Sequence, residues 1–415
     1  VIVAAPLRRV VVVGASLAGT RAAEALRAEG FDGDLVVIGA EPHRPYDRPP
    51  LSKAFLGGAV TEDEIRLTDP AAASAGIEWR PGTQVTGVDL AARALKLASG
   101  QPVAFDGLVI ASGAAAWVPS GLDTGLAGVH VLRTLDDARA LRADLSAAPG
   151  RVVVIGAGFI GCELASTVRA AGLAVTVVEP GERPLQRVVG PLVGDRVQRM
   201  LADHGVHWKL GVTATRLRGE RRVTGVELSD GTTVPADVVV VAVGVRPATQ
   251  WLAGSGVDVR DGVRCDDTLR ALDAAGRPVP GVVAAGDVAR WPHPVFGGDV
   301  RVEHWTNAAM GAAVAARTLL DPEAAAPHDT LPSFWSDQCG VRIQGVGLPA
   351  RGTEVEIAEG SLEDLKFLAR YYHAGRQVAA VAMNMTKQLV REGRRIVDGR
   401  IAVELAGLPN RTTTK

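Results

Sequence analysis

A glycine-spaced motif occurs twice in this chain. GASLAGTRAAEALR (Gly14 to Arg27) returns as GAGFIGCELASTVR (Gly156 to Arg169), and each copy follows an apolar run, Arg9 to Val13 and Arg151 to Ile155. An apolar strand, a glycine turn and a helix in that order make the opening of a βαβ unit. Helix-start N–H groups with roughly half a positive charge of macrodipole then suit a pyrophosphate. Two such units, set a domain's length apart, constrain the fold far more than one would.

Each unit has a second apolar strand, LVVIG (Leu35 to Gly39) and AVTVVE (Ala174 to Glu179), as a parallel crossover requires. Two further strands run into small-residue turns, FDGLVIASGAAAWVP (Phe105 to Pro119) and ADVVVVAVGVRPAT (Ala236 to Thr249), where the chain is expected to pass between domains. GVVAAGDVARW (Gly281 to Trp291) reads as a short buried strand stopping at Gly286-Asp287, with a helix from about Asn307 to Leu320. From about Pro327 the runs VRIQGVG, TEVEIAEG, FLARYYHAG and QVAAVAMN are broken by turns, which predicts an antiparallel sheet, and a helix follows near Thr386 to Ile396.

At 415 residues the chain exceeds one ordinary core. The expected fold is α/β: two Rossmann-like dinucleotide-binding domains plus a C-terminal α+β domain. The expected boundaries are 1–114 with 247–326, then 115–246, then 327–415.

The second fingerprint is complete at Gly156, Gly158 and Gly161, with Ile160 inside it, and Glu179 closes the second strand where a ribose-diol acceptor belongs. A 2′-phosphate there would face a like charge, costing on the order of 4 kcal/mol at about 4 Å and an effective dielectric near 20. NADH is therefore expected over NADPH, although Arg183 and Arg187 could soften that repulsion. In the first fingerprint Gly14 and Gly19 are present, but Ser16 replaces the middle glycine. Gly39 stands where the second unit has Glu179, so the ribose contact would fall to Glu41. Asp287, after its glycine turn, suits a polyol such as ribityl.

Net charge is −1, which gives no electrostatic reason to expect nucleic acid or an anionic membrane. No apolar run is long enough for a spanning helix and no signal-peptide pattern is seen, so a cytoplasmic protein is expected. Cys162, Cys265 and Cys339 are far apart in the sequence, which argues against a zinc ribbon or a disulfide framework, and no metal site is expected.

The order of these motifs resembles the two-dinucleotide flavoprotein reductases. Within them the chain is similar to the FAD-dependent ferredoxin reductases serving Rieske-type oxygenases and haem-thiolate monooxygenases, the putidaredoxin reductase type. The resemblance rests on RPYDRPPLSK (Arg44 to Lys53), GTQVTGVD (Gly82 to Asp89), LRTLDDA (Leu132 to Ala138), GDVARW, VEHWTNAA (Val302 to Ala309) and FWSDQ (Phe334 to Gln338). It implies that Lys53 lies beside the flavin's reactive nitrogen with Glu163 as its acidic partner near the nicotinamide carboxamide. Ala18, Arg48, Val85, Arg133, Asp287 and Trp305 would line FAD, Trp335 would pack close to the flavin, and Gly244 would sit near the nicotinamide nucleotide. Relatives often carry an acid directly after the strand-ending glycine, where this chain has Ala40.

The implied reaction is hydride transfer from NADH to FAD and single electrons onward to an acidic iron-sulfur ferredoxin feeding an oxygenase. Arg290, Arg301 and Arg342 are candidates for the ferredoxin-binding surface, as are Arg391, Arg394 and Arg395. Thiol-based members of the superfamily carry cysteine after the first unit's acid, and AEPHRPYDRPPLSK has none. Two other readings are a rubredoxin or quinone reductase of the same architecture, and a flavoprotein of the apoptosis-inducing-factor type whose redox state controls partner binding.

Overall fold

The computed structural model describes residues 7–67, 76–122 and 125–406, with side chains to 399. It divides into two compact units, one from residues 1–117 with 245–330 and the other from 118–244 with 331–415. Residues 407–415, the end of the expected third domain, lie outside the described residues.

The first unit is built on a six-stranded sheet in the order Arg270–Leu272, Pro278–Ala284, Gly107–Ile110, Arg9–Val13, Asp34–Ile38 and Ile77–Arg80. All neighbours are parallel except the antiparallel edge pair Arg270–Leu272 and Pro278–Ala284. Val10, Val11 and Val12, like Leu108, Val109 and Ile110, have no exposed surface. Strands covered on both faces read as unbroken apolar runs, which is how they appear in the sequence.

The second unit repeats this arrangement. Its parallel sheet runs Val206–Leu210, Val175–Glu179, Val152–Ile155, Val238–Val241, Val129–His130. In both sheets the fingerprint strand is central, with the next strand on one side and the post-crossover strand on the other. The chain thus changes direction across the sheet at the carboxyl end of the fingerprint strand, where open α/β sheets bind ligands.

The second unit also holds a five-stranded antiparallel sheet, Ser333–Gln338, Val341–Gly347, Arg376–Met383, Lys366–His373 and Glu354–Ser361 in spatial order, followed by the helix Thr386–Ala406. Leu368, Ala380, Ala382, Met385 and Leu389 form a core between sheet and helix. The Tyr371 hydroxyl donates to the Val189 carbonyl at 2.6 Å, joining this sheet to the helix Gln186–Asp203. The strand at FWSDQ is absent from a periodicity reading because its buried face carries Ser336 and Gln338 beside Phe334. The helix expected from about Asn307 begins at Trp305, and the last helix continues past Ile396 to Ala406. Among the described residues no helix is long and apolar enough to cross a membrane.

Candidate functional site

The two fingerprints fold alike. Gly14 and Gly156 have φ of +116° and +103°, and a Cβ on either would stand 2.1 Å from the Ala111 carbonyl oxygen or 2.4 Å from that of Ala242. Gly19 and Gly161 let each helix close on its own turn, since a Cβ there would lie 1.7 Å from the Gly14 oxygen and 2.0 Å from the Gly156 oxygen. No other residue fits these four positions.

The middle position differs in kind. Ser16 (φ −93°, ψ −163°) and Gly158 (φ −73°, ψ −173°) are both extended N-cap residues, so neither needs glycine's conformational freedom. Nothing stands within 4 Å of where a Gly158 Cβ would be. That space and the uncapped N–H groups of Phe159–Ala170 fit a pyrophosphate. In the first unit Ser16 occupies the space, and its hydroxyl accepts from Arg48 Nε at 3.2 Å rather than capping its own helix.

Arg48 organises this end of the first unit. Its guanidinium reaches Glu41 Oε1 at 2.5 Å and the Tyr46 hydroxyl at 3.3 Å, and Tyr46 donates to the other oxygen of Glu41. Burial works against the Arg48 charge, but Tyr46, Glu41 and Asp287 more than offset it and hold its pKa above the ordinary value. Asp287 follows Gly286, whose φ of +77° and lack of a side chain let the turn abut Ala18, 2.8 Å from where a Cβ would be. Ala18 and Val85 are buried. Lys53 ends the short turn Pro49–Ser52, and its charge acts on Asp47. Asp47 in turn accepts the Trp305 indole N–H at 2.8 Å.

No side chain can stand at Gly39 as Glu179 stands in the second unit, because a Cβ there would lie 2.6 Å from that of Ala15. Glu179 instead accepts from Ala157 N at 2.8 Å through one oxygen and from Gly181 N at 2.9 Å through the other. Arg183 is committed to Asp195 at 2.6 Å and Glu182 at 2.7 Å. Gly244 has φ of +115° with nothing within 4 Å of an added Cβ.

Glu163 is 5 % exposed on the helix Phe159–Ala170, and its Oε1 accepts from Ser336 Oγ at 2.6 Å. Arg133 and Trp335 also belong to the second unit. The Arg133 backbone N–H donates to Asp137 at 3.0 Å, next to the capping box of the helix Leu135–Ser146. Trp335 alternates with Phe334 and Ser336, so it points to the opposite face of its strand.

The three arginines expected at a partner surface are not alike. Arg290 and Arg301 face each other across an antiparallel pair. Arg301, its side chain 18 % exposed, lies 3.0 Å from Asp261 and 2.5 Å from Glu303, and Arg290 is 3.6 Å from Asp299. Arg342, 48 % exposed, has a looser partner in Asp337 at 3.4 Å. Among these three, Arg342 has the charge most available to another protein.

Tyr46, Asp47, Ser336 and Gln338 join this chemistry without having been singled out by sequence reasoning. All four lie inside the two most specific motifs, RPYDRPPLSK and FWSDQ. Burial pushes the Cys162 and Cys265 thiols up, away from thiolate chemistry.

The model of the pyridine nucleotide-disulphide oxidoreductase family matches residues 8–312, and that of the reductase C-terminal family matches 333–414. The chain belongs to the pyridine nucleotide-disulphide oxidoreductases. It is 36 % identical over 395 residues to the ferredoxin–NAD(+) reductase component of the biphenyl dioxygenase system of Paraburkholderia xenovorans (strain LB400), covering 95 % of this chain and 94 % of the relative. The reductase in a covalent putidaredoxin reductase–putidaredoxin complex superposes with a TM-score of 0.89 at 30 % identity, over 95 % of this chain and 94 % of that one. The ferredoxin reductase for the CYP199A2 system of Rhodopseudomonas palustris gives 0.88 at 36 % identity, over 94 % and 95 %. This branch of the family thus matches over nearly the whole length, C-terminal sheet included.

Proposed function

We propose that this chain is an NADH-dependent ferredoxin reductase of an oxygenase system, with FAD as its cofactor and an acidic iron-sulfur ferredoxin as its partner. The observation that carries this reading is the end-to-end match, at 36 % identity, to a reductase named for that activity. The two fingerprint turns support it, since both keep the glycines on which the fold depends.

Bound FAD would supply the conversion between a two-electron hydride donor and a one-electron acceptor. The protein's own residues bind, orient and charge the site. Gly14, Ser16, Ala18 and Gly19 present the first helix start to the FAD pyrophosphate, and Arg48, braced by Glu41, adds a fixed positive charge beside it. Val85, Asp287 and Trp305 complete the first unit's part of the flavin surroundings in this reading. Gly156, Gly158, Ile160 and Gly161 present the second helix start to NADH, and Gly244 leaves room for its nicotinamide half. Glu179 receives the adenosine ribose: each carboxylate oxygen gives one lone pair to a backbone N–H and keeps another for a hydroxyl. Lys53 and Glu163 act at the reacting ends of the two cofactors. A cytoplasmic location belongs to the same reading.

A panel of purified acceptors, assayed with NADH, tests it. A [2Fe–2S] ferredoxin should turn over faster than rubredoxin or a small quinone. A preference for either of those, or slow flavin reduction with a long-lived charge-transfer complex, would overturn it.

A further inference from the structure

The C-terminal sheet meets the second fingerprint helix in a matched register. Phe159, Glu163 and Ser166 lie on one helix face, at i, i+4 and i+7. Phe334, Ser336 and the hairpin residue Cys339 come toward them from the sheet. The Phe159 and Phe334 rings are 4.9 Å apart, Ser336 Oγ reaches Glu163 Oε1 at 2.6 Å, and the Cys339 N–H reaches Ser166 Oγ at 2.7 Å. Four residues of helix advance about 6 Å and two residues of strand about 6.6 Å, so the first two contacts fall in step.

The middle contact is polar and sealed. Ser336 is 0 % exposed and Gln338 is 1 % exposed, two residues along on the same strand face. Gln338 Nε2 lies 3.0 Å from Ser336 Oγ. The amide nitrogen can only donate, so the serine oxygen accepts and its single proton is left for the Glu163 carboxylate. The direction Gln338 to Ser336 to Glu163 follows from the donor inventory alone. Apolar residues would cover this face of the sheet more cheaply, since buried polar groups cost free energy unless paired. A serine kept there, with a glutamine behind it, needs a reason beyond packing.

We infer that Ser336, backed by Gln338, is the positioning residue for Glu163, fixing one carboxylate oxygen so that the other presents a constant face to the nicotinamide. The C-terminal sheet thereby takes part in hydride transfer without touching the substrate. This rests on the role given to Glu163 above, and its test separates the two.

The experiment is anaerobic stopped-flow reduction of the holoenzyme by NADH, with an infrared spectrum of each variant. Ser336→Ala should slow the limiting rate of flavin reduction about tenfold, within the range of a lost hydrogen bond to a charged group, while the NADH dissociation constant changes less. Ser336→Thr, which keeps the hydroxyl, should recover most of that rate. In a Glu163→Gln background Ser336→Ala should add less than about twofold, because coupled positions are non-additive. The carboxylate stretch that disappears in Glu163→Gln should shift in frequency in Ser336→Ala. Gln338→Met, which removes the outer donor and leaves Ser336 in place, should give a smaller effect of the same sign and covers the case in which Ser336→Ala does not fold. An unchanged rate in Ser336→Ala, or the same slowing with Glu163 already neutralised, would overturn the inference. Failure of the wild-type flavin to accept hydride from NADH would overturn the functional reading instead.

Discussion

The Trp305 indole N–H donates to Asp47 Oδ1 at 2.8 Å, joining the start of the helix Trp305–Leu320 to the RPYDRPPLSK loop 258 residues earlier. Two motifs far apart in the sequence are thus one structural feature of the first unit. Burial raises the Asp47 pKa, and the Trp305 bond together with the charges of Lys53 and Arg21 works against that rise. Trp305→Phe removes the donor and lets Asp47 rise further. A raised carboxyl favours the fold in acid and loses that contribution as pH rises through its folded value. The substitution should therefore cost more stability at about pH 7, on the order of 1–3 kcal/mol, than at about pH 4. Urea unfolding at the two pH values checks this, and FAD retention on dilution should fall in parallel.

His328 gives the opposite pH dependence. Its Nε2 lies 3.0 Å from Asn307 Oδ1 while Asn307 donates its amide to the Val302 carbonyl, so the ring must carry its proton on Nε2. Nδ1 is buried without a hydrogen-bond partner. Burial, then the charge of His293, pushes the pKa down from 6.5 to about 4, with Asp329 opposing. The unfolded chain takes up this proton first as pH falls, so stability is complete above about 6.5 and declines toward about 4, by roughly 3 kcal/mol. His328→Gln keeps a donor and cannot titrate. Its urea midpoint should vary less between about pH 7 and pH 4.5 than that of the wild type.

Glu179 decides the nucleotide in this account. Arg183 is held by Asp195 and Glu182 and does not relieve a 2′-phosphate of the Glu179 charge. Glu179→Gln keeps an acceptor for one of the two N–H groups, that of Ala157 or that of Gly181, and removes the repulsion. The NADH to NADPH ratio of kcat/KM should fall at least tenfold, part of the roughly 4 kcal/mol that the charge imposes at close range. An unchanged ratio would place the discrimination elsewhere.

Much of this site was legible as motif, and much less as geometry. The paired glycines announce themselves because no side chain fits at Gly14, Gly19, Gly156 or Gly161. Ser16 at first looks like a defect in the fingerprint. Its backbone is extended and its hydroxyl serves Arg48, a relation between residues 16 and 48 that no local pattern encodes. The hydrogen bond from Ser336 to Glu163 spans 173 positions and lies on a strand whose polar inner face hides it from a hydropathy reading. Arg301 read as a free surface charge, and the carboxylates that claim it come from Asp261 and Glu303, one of them 40 residues away.

Arg342 is the position at which to probe the partner surface. Its side chain is half exposed and only loosely engaged by Asp337. Arg342→Glu should raise the KM for ferredoxin several-fold and flatten its salt dependence, since a rim charge acts mainly on encounter. Arg301→Glu should instead lower the unfolding midpoint, because it sets a third carboxylate beside Asp261 and Glu303.

NADH should reduce a flavin held by this chain, and the electrons should then leave singly for an iron-sulfur protein. Anaerobic stopped-flow mixing of the purified protein with NADH, followed by a second mixing with oxidised [2Fe–2S] ferredoxin, reads both steps in one experiment. The expected result is a yellow protein bleached quickly by NADH and far more slowly by NADPH, then reoxidised as two ferredoxins are reduced per flavin. A colourless protein, or a flavin that NADH leaves oxidised, would contradict it.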